Sequence, residues 1–169
     1  MAEEEIISTR PAEPDKPDNA ENKMPITFIT MVIVIVIDQI TKRMAVAQLS
    51  GEPPRFYLHE FLILTYTENH GAFLSLGATW PPLVRRLVFI VLVIGFLLYF
   101  LIFLMRETHL PGIAFMFGGL VLGGGIGNLI DRIVNNGGVI DFLLLRVGNV
   151  QTGIFNVADM GVMAGVVGL

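Results

Sequence analysis

Two aspartates in the apolar second half of this chain, Asp141 and Asp159, could carry out acid-base chemistry. Asp141 lies in the run Val-Ile-Asp-Phe, and Asp159 follows Phe-Asn-Val-Ala. Ionisable groups at membrane depth are costly and by default indicate a functional site. Two neighbouring carboxylates can share one proton and activate water, because like charges a few ångströms apart do not both ionise readily. We therefore predict a paired-carboxylate site at a membrane edge.

Other catalytic groups are scarce in this sequence. The chain has no cysteine, which excludes disulfides, thiolate nucleophiles and thiolate metal ligands. Its three histidines, His59, His70 and His109, show no metal-ligand spacing. We expect no metal, no other cofactor and no nucleic-acid partner.

The elements that must position the aspartates are membrane segments, since 53% of the 169 residues are hydrophobic. Residues 1–23 differ, because they hold seven acids and three bases and so carry the whole net charge of -4. That composition predicts a disordered acidic tail followed by one membrane domain, residues 24–169.

Four transmembrane helices are predicted. The charge-free stretch 26–37 has 12 residues and rises about 18 Å, so a first span of roughly 30 Å must carry Asp38 into or near the bilayer. Residues 87–105 and 110–130 are uncharged and form a second and a third span. A fourth span begins near Asn156, but only ten residues follow Asp159. We expect that span to be truncated and the natural chain to continue past Leu169.

The predicted third span carries two rows of residues at four-residue steps. Gly119, Gly123 and Gly127 would let another helix approach closely. A second row, Gly124, Asn128 and Arg132, shares a helical face that ends in polar groups. We expect that face to point at the functional site.

Two stretches between the spans predict small β elements. Residues 56–73 and 143–154 are rich in strand-forming residues and are bounded or interrupted by glycine. Both stretches follow an outward-going span, which places them on the same side of the membrane. Within the first stretch, Asn69 ahead of Gly71 is either a turn residue or a substrate contact.

Several polar residues also have purely structural interpretations. Asn156 with Asp159 three residues later is typical of a helix cap, which is compatible with catalysis. Asp141 could pair with Arg132 or Arg146 at the interface. These alternatives remain open at the level of sequence.

The charged residues of the first and third spans have structural alternatives of the same kind. Asp38 and Lys42 could form a helix-end ion pair that reaches to water. Arg132 could be a structural partner of Asp131 or Asp141 rather than a substrate contact.

Two other classes of protein compete with an enzyme. A small transporter would use membrane carboxylates as a relay, with the carboxylates at midplane depth on broken helices. A non-enzymatic assembly protein would use the glycine rows only for packing. The sequence shows no internal repeat, and both aspartates lie at predicted span ends, which favours an enzyme.

Five polar motifs on this four-span frame together resemble lipoprotein signal peptidase, also called signal peptidase II. In order, they are DQITK (38–42), NHGAF (69–73), GNLIDR (127–132), VIDF (139–142) and FNVAD (155–159). The resemblance covers roughly residues 26–169. Each motif alone is weak, whereas the ordered set is specific.

The resemblance implies an intramembrane aspartic endopeptidase that removes the signal peptide from diacylglyceryl prolipoproteins, cleaving before the lipidated cysteine. It implies a bacterial inner-membrane protein surrounded by membrane lipids, with its acidic tail in the cytoplasm. The active site would face the periplasm, an orientation that the distribution of basic residues does not decide. The implied catalytic dyad is Asp141 and Asp159. The residues implied to line or support the substrate site are Asp38, Lys42, Asn69, Gly71, Asn128, Arg132 and Asn156.

Overall fold

A computed structural model describes residues 23–70, 81–107 and 109–169 of the chain. Within these ranges the chain forms four helices and four strands. The helices are α1 (Met24–Leu49), α2 (Pro82–Arg106), α3 (Gly112–Val134) and α4 (Val157–Gly168). The strands are β1 (Arg55–Tyr57), β2 (Leu62–Asn69), β3 (Val139–Val147) and β4 (Val150–Gln151). The predicted tail lies outside the described residues except for Lys23.

Three of the helices, α1, α2 and α3, are long and apolar enough to cross a membrane, with 26, 25 and 23 residues. Their outer faces expose large apolar side chains such as Ile29 and Val91, as helices surrounded by lipid do. The prediction of a helical membrane protein is confirmed. Helix α4 begins where a fourth span was predicted and has 12 residues, all uncharged except Asp159, which gives a rise of about 18 Å.

Helix α3 is the centre of the bundle and packs against α1 through its first glycine row. A Cβ atom at Gly119 would lie 2.6 Å from the backbone oxygen of Thr27, and one at Gly123 would lie 2.8 Å from that of Met31. Real Cβ atoms do not approach backbone oxygens so closely, so only glycine permits this contact. The predicted close helix approach is confirmed.

The strands form a single antiparallel sheet in the order β1-β2-β3-β4. The two predicted β elements are therefore neighbours, because β2 pairs with β3 and places Thr67 opposite Asp141. The sequence predicted the second element from residue 143, whereas β3 begins at Val139. Asp141 therefore lies on a strand and not at the end of the third span.

A tight turn separates α3 from β3 and explains this difference. Asn136 and Gly137 have φ values of 52° and 94°, and this left-handed backbone stops the helix and redirects the chain. Residues 139–142 are then free to pair with β2. Helix α1 leads into β1, α3 leads into β3 and α4 follows β4, so these three helix ends lie on the sheet side of the bundle.

Candidate active site

Asp141 is held on β3 by two side-chain amides. Its side chain is buried, with 2% of the residue exposed. Asn156 donates from Nδ2 to Oδ1 at 2.7 Å, and Asn69 donates from Nδ2 to Oδ2 at 3.1 Å. Both carboxylate oxygens thus have a fixed donor, which sets the orientation of the group.

Asp159 lies in the first turn of α4 and is the second half of a capping box. Its Oδ2 accepts a hydrogen bond from the backbone N–H of Asn156 at 3.2 Å, and its own backbone N–H donates to Asn156 Oδ1 at 2.9 Å. Asn128 on α3 donates from Nδ2 to Asp159 Oδ1 at 2.8 Å. The capping interpretation is confirmed, and the same contacts aim the carboxylate.

Asn156 joins the two aspartates, and it is fully buried. Its Nδ2 contacts Asp141, its Oδ1 and backbone N–H hold Asp159, and its Nδ2 also lies 3.0 Å from Asn128 Oδ1. Phe155 beside it is fixed by an isolated bridge to Leu143 on β3. One asparagine therefore links β3 to the first turn of α4 and contacts both aspartates.

The surroundings of Asp141 favour its protonated form. Burial is the largest cause of a pKa of about 6 for Asp141, raised from 3.8. The negative charge of Asp159 also raises this pKa, whereas the hydrogen bonds from Asn69 and Asn156 and the positive charge of Lys42 lower it. One neutral and one ionised carboxylate is the state that water activation requires.

Lys42 is buried beneath the pair, with 1% exposure, and its Nζ lies 2.9 Å from carboxylate oxygens of both Asp38 and Asp131. Its third contact is Asn128 Oδ1 at 3.0 Å. The predicted i,i+4 ion pair of Asp38 and Lys42 therefore forms, but the expectation that it reaches to water is wrong, because both side chains are buried. Tertiary packing of α1 on α3 keeps the charge inside the protein.

Arg132 forms its direct hydrogen bond with neither Asp131 nor Asp141, the two partners suggested by the sequence. It donates to the backbone oxygen of Gly137 at 3.0 Å, while its charge interacts with Asp141, Asp159 and Asp131 at longer range. Arg146 forms its ion pair with Glu60, at 3.5 Å, rather than with Asp141. The direct partners of both arginines, the Gly137 backbone oxygen and the Glu60 carboxylate, therefore lie outside the pair of Asp141 and Asp159.

A cavity of about 200 Å³ opens beside Arg132, between the start of α2 and the turn after α3. Its lining includes His70, Arg86, Phe89 and Gly137. Arg86 donates to the backbone oxygen of Ile133 at 2.6 Å. The cavity therefore has a cationic wall at the edge of the site.

Of the two glycines expected near the site, Gly124 and Gly71, the structure describes Gly124. Gly124 on α3 faces the backbone oxygen of Ala158, and a Cβ there would overlap it. In the same row, Asn128 donates to Asp159 and Arg132 lines the adjacent cavity, so this face of α3 lies toward the candidate site. Gly71 lies outside the described residues.

Neither Gln39 nor Asp131 was predicted to have a role in the site. Asp131 continues the row of Gly119, Gly123 and Gly127 by one further four-residue step, so this spacing could have placed it against α1. Gln39 offers no comparable signal. Its contacts depend on how far α1 and α3 are rotated against each other.

The fold and the site define a polytopic membrane protein with a two-aspartate centre. The family profile of signal peptidase (SPase) II matches residues 30–169. The chain is 40% identical over 157 residues to the lipoprotein signal peptidase of Hydrogenovibrio crunogenus, which covers 86% of each chain. It is 39% identical over 121 residues to that of Chlorobium phaeobacteroides strain BS1, covering 71% of this chain and 72% of the relative.

A solved bacterial membrane enzyme has the same fold, with a TM-score of 0.73 at 24% identity over 84% of this chain and 88% of that chain. The chain belongs to the signal peptidase II family and is a membrane protease of the aspartic type. This membership decides against the transporter and assembly-protein alternatives.

Proposed function

We propose that this protease removes the signal peptide from diacylglyceryl prolipoproteins, cleaving before the lipidated cysteine, with Asp141 and Asp159 as the catalytic pair. The observation that carries the assignment is Asn156, whose single side chain contacts both carboxyl-bearing residues. Family membership supports the substrate class.

The chemistry follows from one proton shared by two carboxylates. The ionised member takes a proton from water, and the resulting nucleophile attacks the scissile carbonyl. The protonated member donates a hydrogen bond to the developing oxyanion and later helps to protonate the leaving amine. Asn69, Asn128 and Asn156 hold the carboxylates in place throughout, because each donates to one of them.

Substrate contacts are assigned to the polar residues around the pair. Arg132 donates a hydrogen bond to the backbone oxygen of Gly137 and lines the cavity beside the site. Its other N–H groups can therefore donate to substrate carbonyl groups. Gly71 completes this set of substrate-site residues by family resemblance. Membrane lipids surround the helices and deliver the lipidated substrate laterally.

We place the protein in the bacterial inner membrane, with the active site at the periplasmic end and residues 1–23 as an acidic tail in the cytoplasm. The sheet and both aspartates lie at one end of the bundle, whereas α1 begins at the other. Water reaches a surface site more readily than the bilayer centre, which supports this placement.

The substrate assignment is tested by incubating the purified full-length protein with a lipidated prolipoprotein and with its unlipidated counterpart, followed by a gel shift. We expect cleavage of the lipidated form alone, with the new N-terminus at the modified cysteine. Cleavage of both forms at equal rates would contradict recognition of the lipid. Failure to cleave either form would contradict the proposed function.

The raised pKa of Asp141 predicts a pH profile for kcat/KM. Because the pKa is about 6 instead of 3.8, the pair keeps its shared proton to a higher pH than two ordinary aspartates would. The value of kcat/KM should fall as the pH rises through this region, since the free enzyme then loses its proton donor. It should also fall in acid, where the second carboxylate is protonated.

The variant Asn69→Ala tests the origin of this profile. The hydrogen bond from Asn69 stabilises the ionised form of Asp141, so its loss should move the alkaline limb of kcat/KM to higher pH. Tyr66→Phe is the control on the same strand, because Tyr66 bonds Glu68, and should leave the limb in place. A limb that moved to lower pH in Asn69→Ala would contradict the assignment.

A further inference from the structure

We propose that Asp131 is a positioning residue for Asp141, and that Asp131, Lys42 and Asp38 form a buried frame that fixes the separation of the two catalytic carboxylates. We call these three residues the Lys42 frame. The proposal rests on the proposed function of Asp141 and Asp159. Two carboxylates on either side of Lys42, those of Asp131 and Asp38, make matching hydrogen bonds.

Asp131 connects α3 to the strand that carries Asp141. Its Oδ2 accepts a hydrogen bond from the backbone N–H of Ile140 at 3.0 Å and contacts Lys42 Nζ at 2.9 Å. Its Oδ1 accepts from Gln39 Nε2 at 3.1 Å. Ile140 directly precedes Asp141, so this carboxylate holds the backbone at the point where the catalytic side chain departs.

Asp38 makes the matching set of contacts to the helix that carries Asp159. Its Oδ1 accepts from the backbone N–H of Ala158 at 2.9 Å, and its Oδ2 contacts Lys42 Nζ at 2.9 Å. Gln39 Nε2 lies 3.2 Å from the same Oδ2. Ala158 directly precedes Asp159, as Ile140 precedes Asp141.

Lys42 joins the two halves of the frame. Its ammonium group has three N–H donors, and the three contacts within 3.0 Å are Asp38, Asp131 and Asn128. Because an ammonium only donates, it fixes the oxygen of the Asn128 amide towards itself and turns the NH₂ group towards Asp159. The frame therefore positions Asp141 through the backbone of Ile140. It positions Asp159 through the backbone of Ala158 and through the side chain of Asn128.

Burial makes the frame rigid. Asp38, Lys42 and Asp131 are 0%, 1% and 3% exposed, and no buried side-chain nitrogen or oxygen among the described residues lacks a partner. A buried charge network of this kind holds one arrangement, since any displacement leaves a charge without its partner. The separation of Ile140 and Ala158, and with it that of the dyad, follows from this arrangement.

The test is Asp131→Asn in the full-length protein, assayed for kcat and KM on a lipidated prolipoprotein. An amide has one acceptor oxygen, so its NH₂ group must face either Gln39 or the Lys42 and Ile140 donors. We expect kcat to fall about 10-fold to 100-fold, as misplacement of a reacting group by about 1 Å does. KM should stay within about threefold, because substrate contacts are untouched.

Gln39→Leu is a second variant that leaves all three charges of the frame in place. It removes the donor shared by the two carboxylates, and we expect a smaller fall in kcat. The double variant with Asp131→Asn should lose less than the product of the two single effects, because both act through the same frame. Independent effects that multiply would overturn the proposal.

Thr27→Val is the matched control, since Thr27 makes a buried hydrogen bond from α1 to Phe115 on α3, at 2.8 Å, away from the dyad. It should lower the thermal midpoint and leave kcat per folded enzyme unchanged. The frame is overturned if Asp131→Asn retains full kcat, or if Thr27→Val reduces kcat equally. Activity retained in Asp141→Asn would instead overturn the proposed function, so the two failures are distinguishable.

Discussion

Replacing either aspartate of the proposed catalytic pair with asparagine, Asp141→Asn or Asp159→Asn, should lower kcat for prolipoprotein cleavage by at least about 1,000-fold. An amide can neither accept the proton of water as a base nor supply a proton to the oxyanion, while it keeps the size of the carboxylate. Cleavage of a lipidated substrate by the purified variants, followed over time on a gel, measures the effect.

In the proposed mechanism both aspartates handle the same proton, so the effects of the two substitutions on kcat should not add. The double variant should be no slower than either single variant. Glu60→Gln is the matched carboxylate-to-amide control, because Glu60 is exposed and pairs with Arg146, and it should retain full activity. A single dyad variant that kept full activity, with normal membrane insertion, would exclude that residue from the chemistry.

Gly124→Ala should cause the second largest fall in kcat and should also lower the stability of the protein. A methyl group at this position would overlap the backbone oxygen of Ala158 and lie 2.8 Å from Val162 Cγ2. The first turn of α4 must then move away from α3, which separates Asp159 from Asn128. We expect a fall in kcat of about 100-fold and a loss of stability of about 1–3 kcal/mol from overpacking.

Gly95→Ala is the control for the loss of a helical glycine. Gly95 lies on α2, and among the described residues nothing beyond the neighbouring backbone of its own helix lies within 4 Å of the added Cβ. Alanine should stabilise that helix by about 0.5–1 kcal/mol and leave kcat unchanged. Thermal denaturation and cleavage assays of both variants check the comparison. A Gly124→Ala enzyme with unchanged kcat would show that α4 can shift without moving Asp159.

The sequence predicted much of the bundle because apolar length and glycine spacing are local signals. The stretch 87–105 falls within α2, and 110–130 overlaps α3 from Gly112 onward. The row from Gly119 predicted a close approach of another helix, which is α1 in the structure. The sequence missed that β3 starts at Val139. Residues 139–142 are apolar around one aspartate, and only pairing with β2 makes them a strand.

The sequence by itself determined that this is a helical membrane protein whose polar residues form a specific ordered set, including the two aspartates proposed for catalysis. Only the tertiary structure decided which groups hold those aspartates. Asp38 meets Ala158 across 120 residues, and Lys42 meets Asn128 across 86. Helical periodicity states which residues share a face, but the partner of that face is set by packing. The charge of Lys42 is therefore enclosed between Asp38 and Asp131 because α1 and α3 pack on each other through glycine.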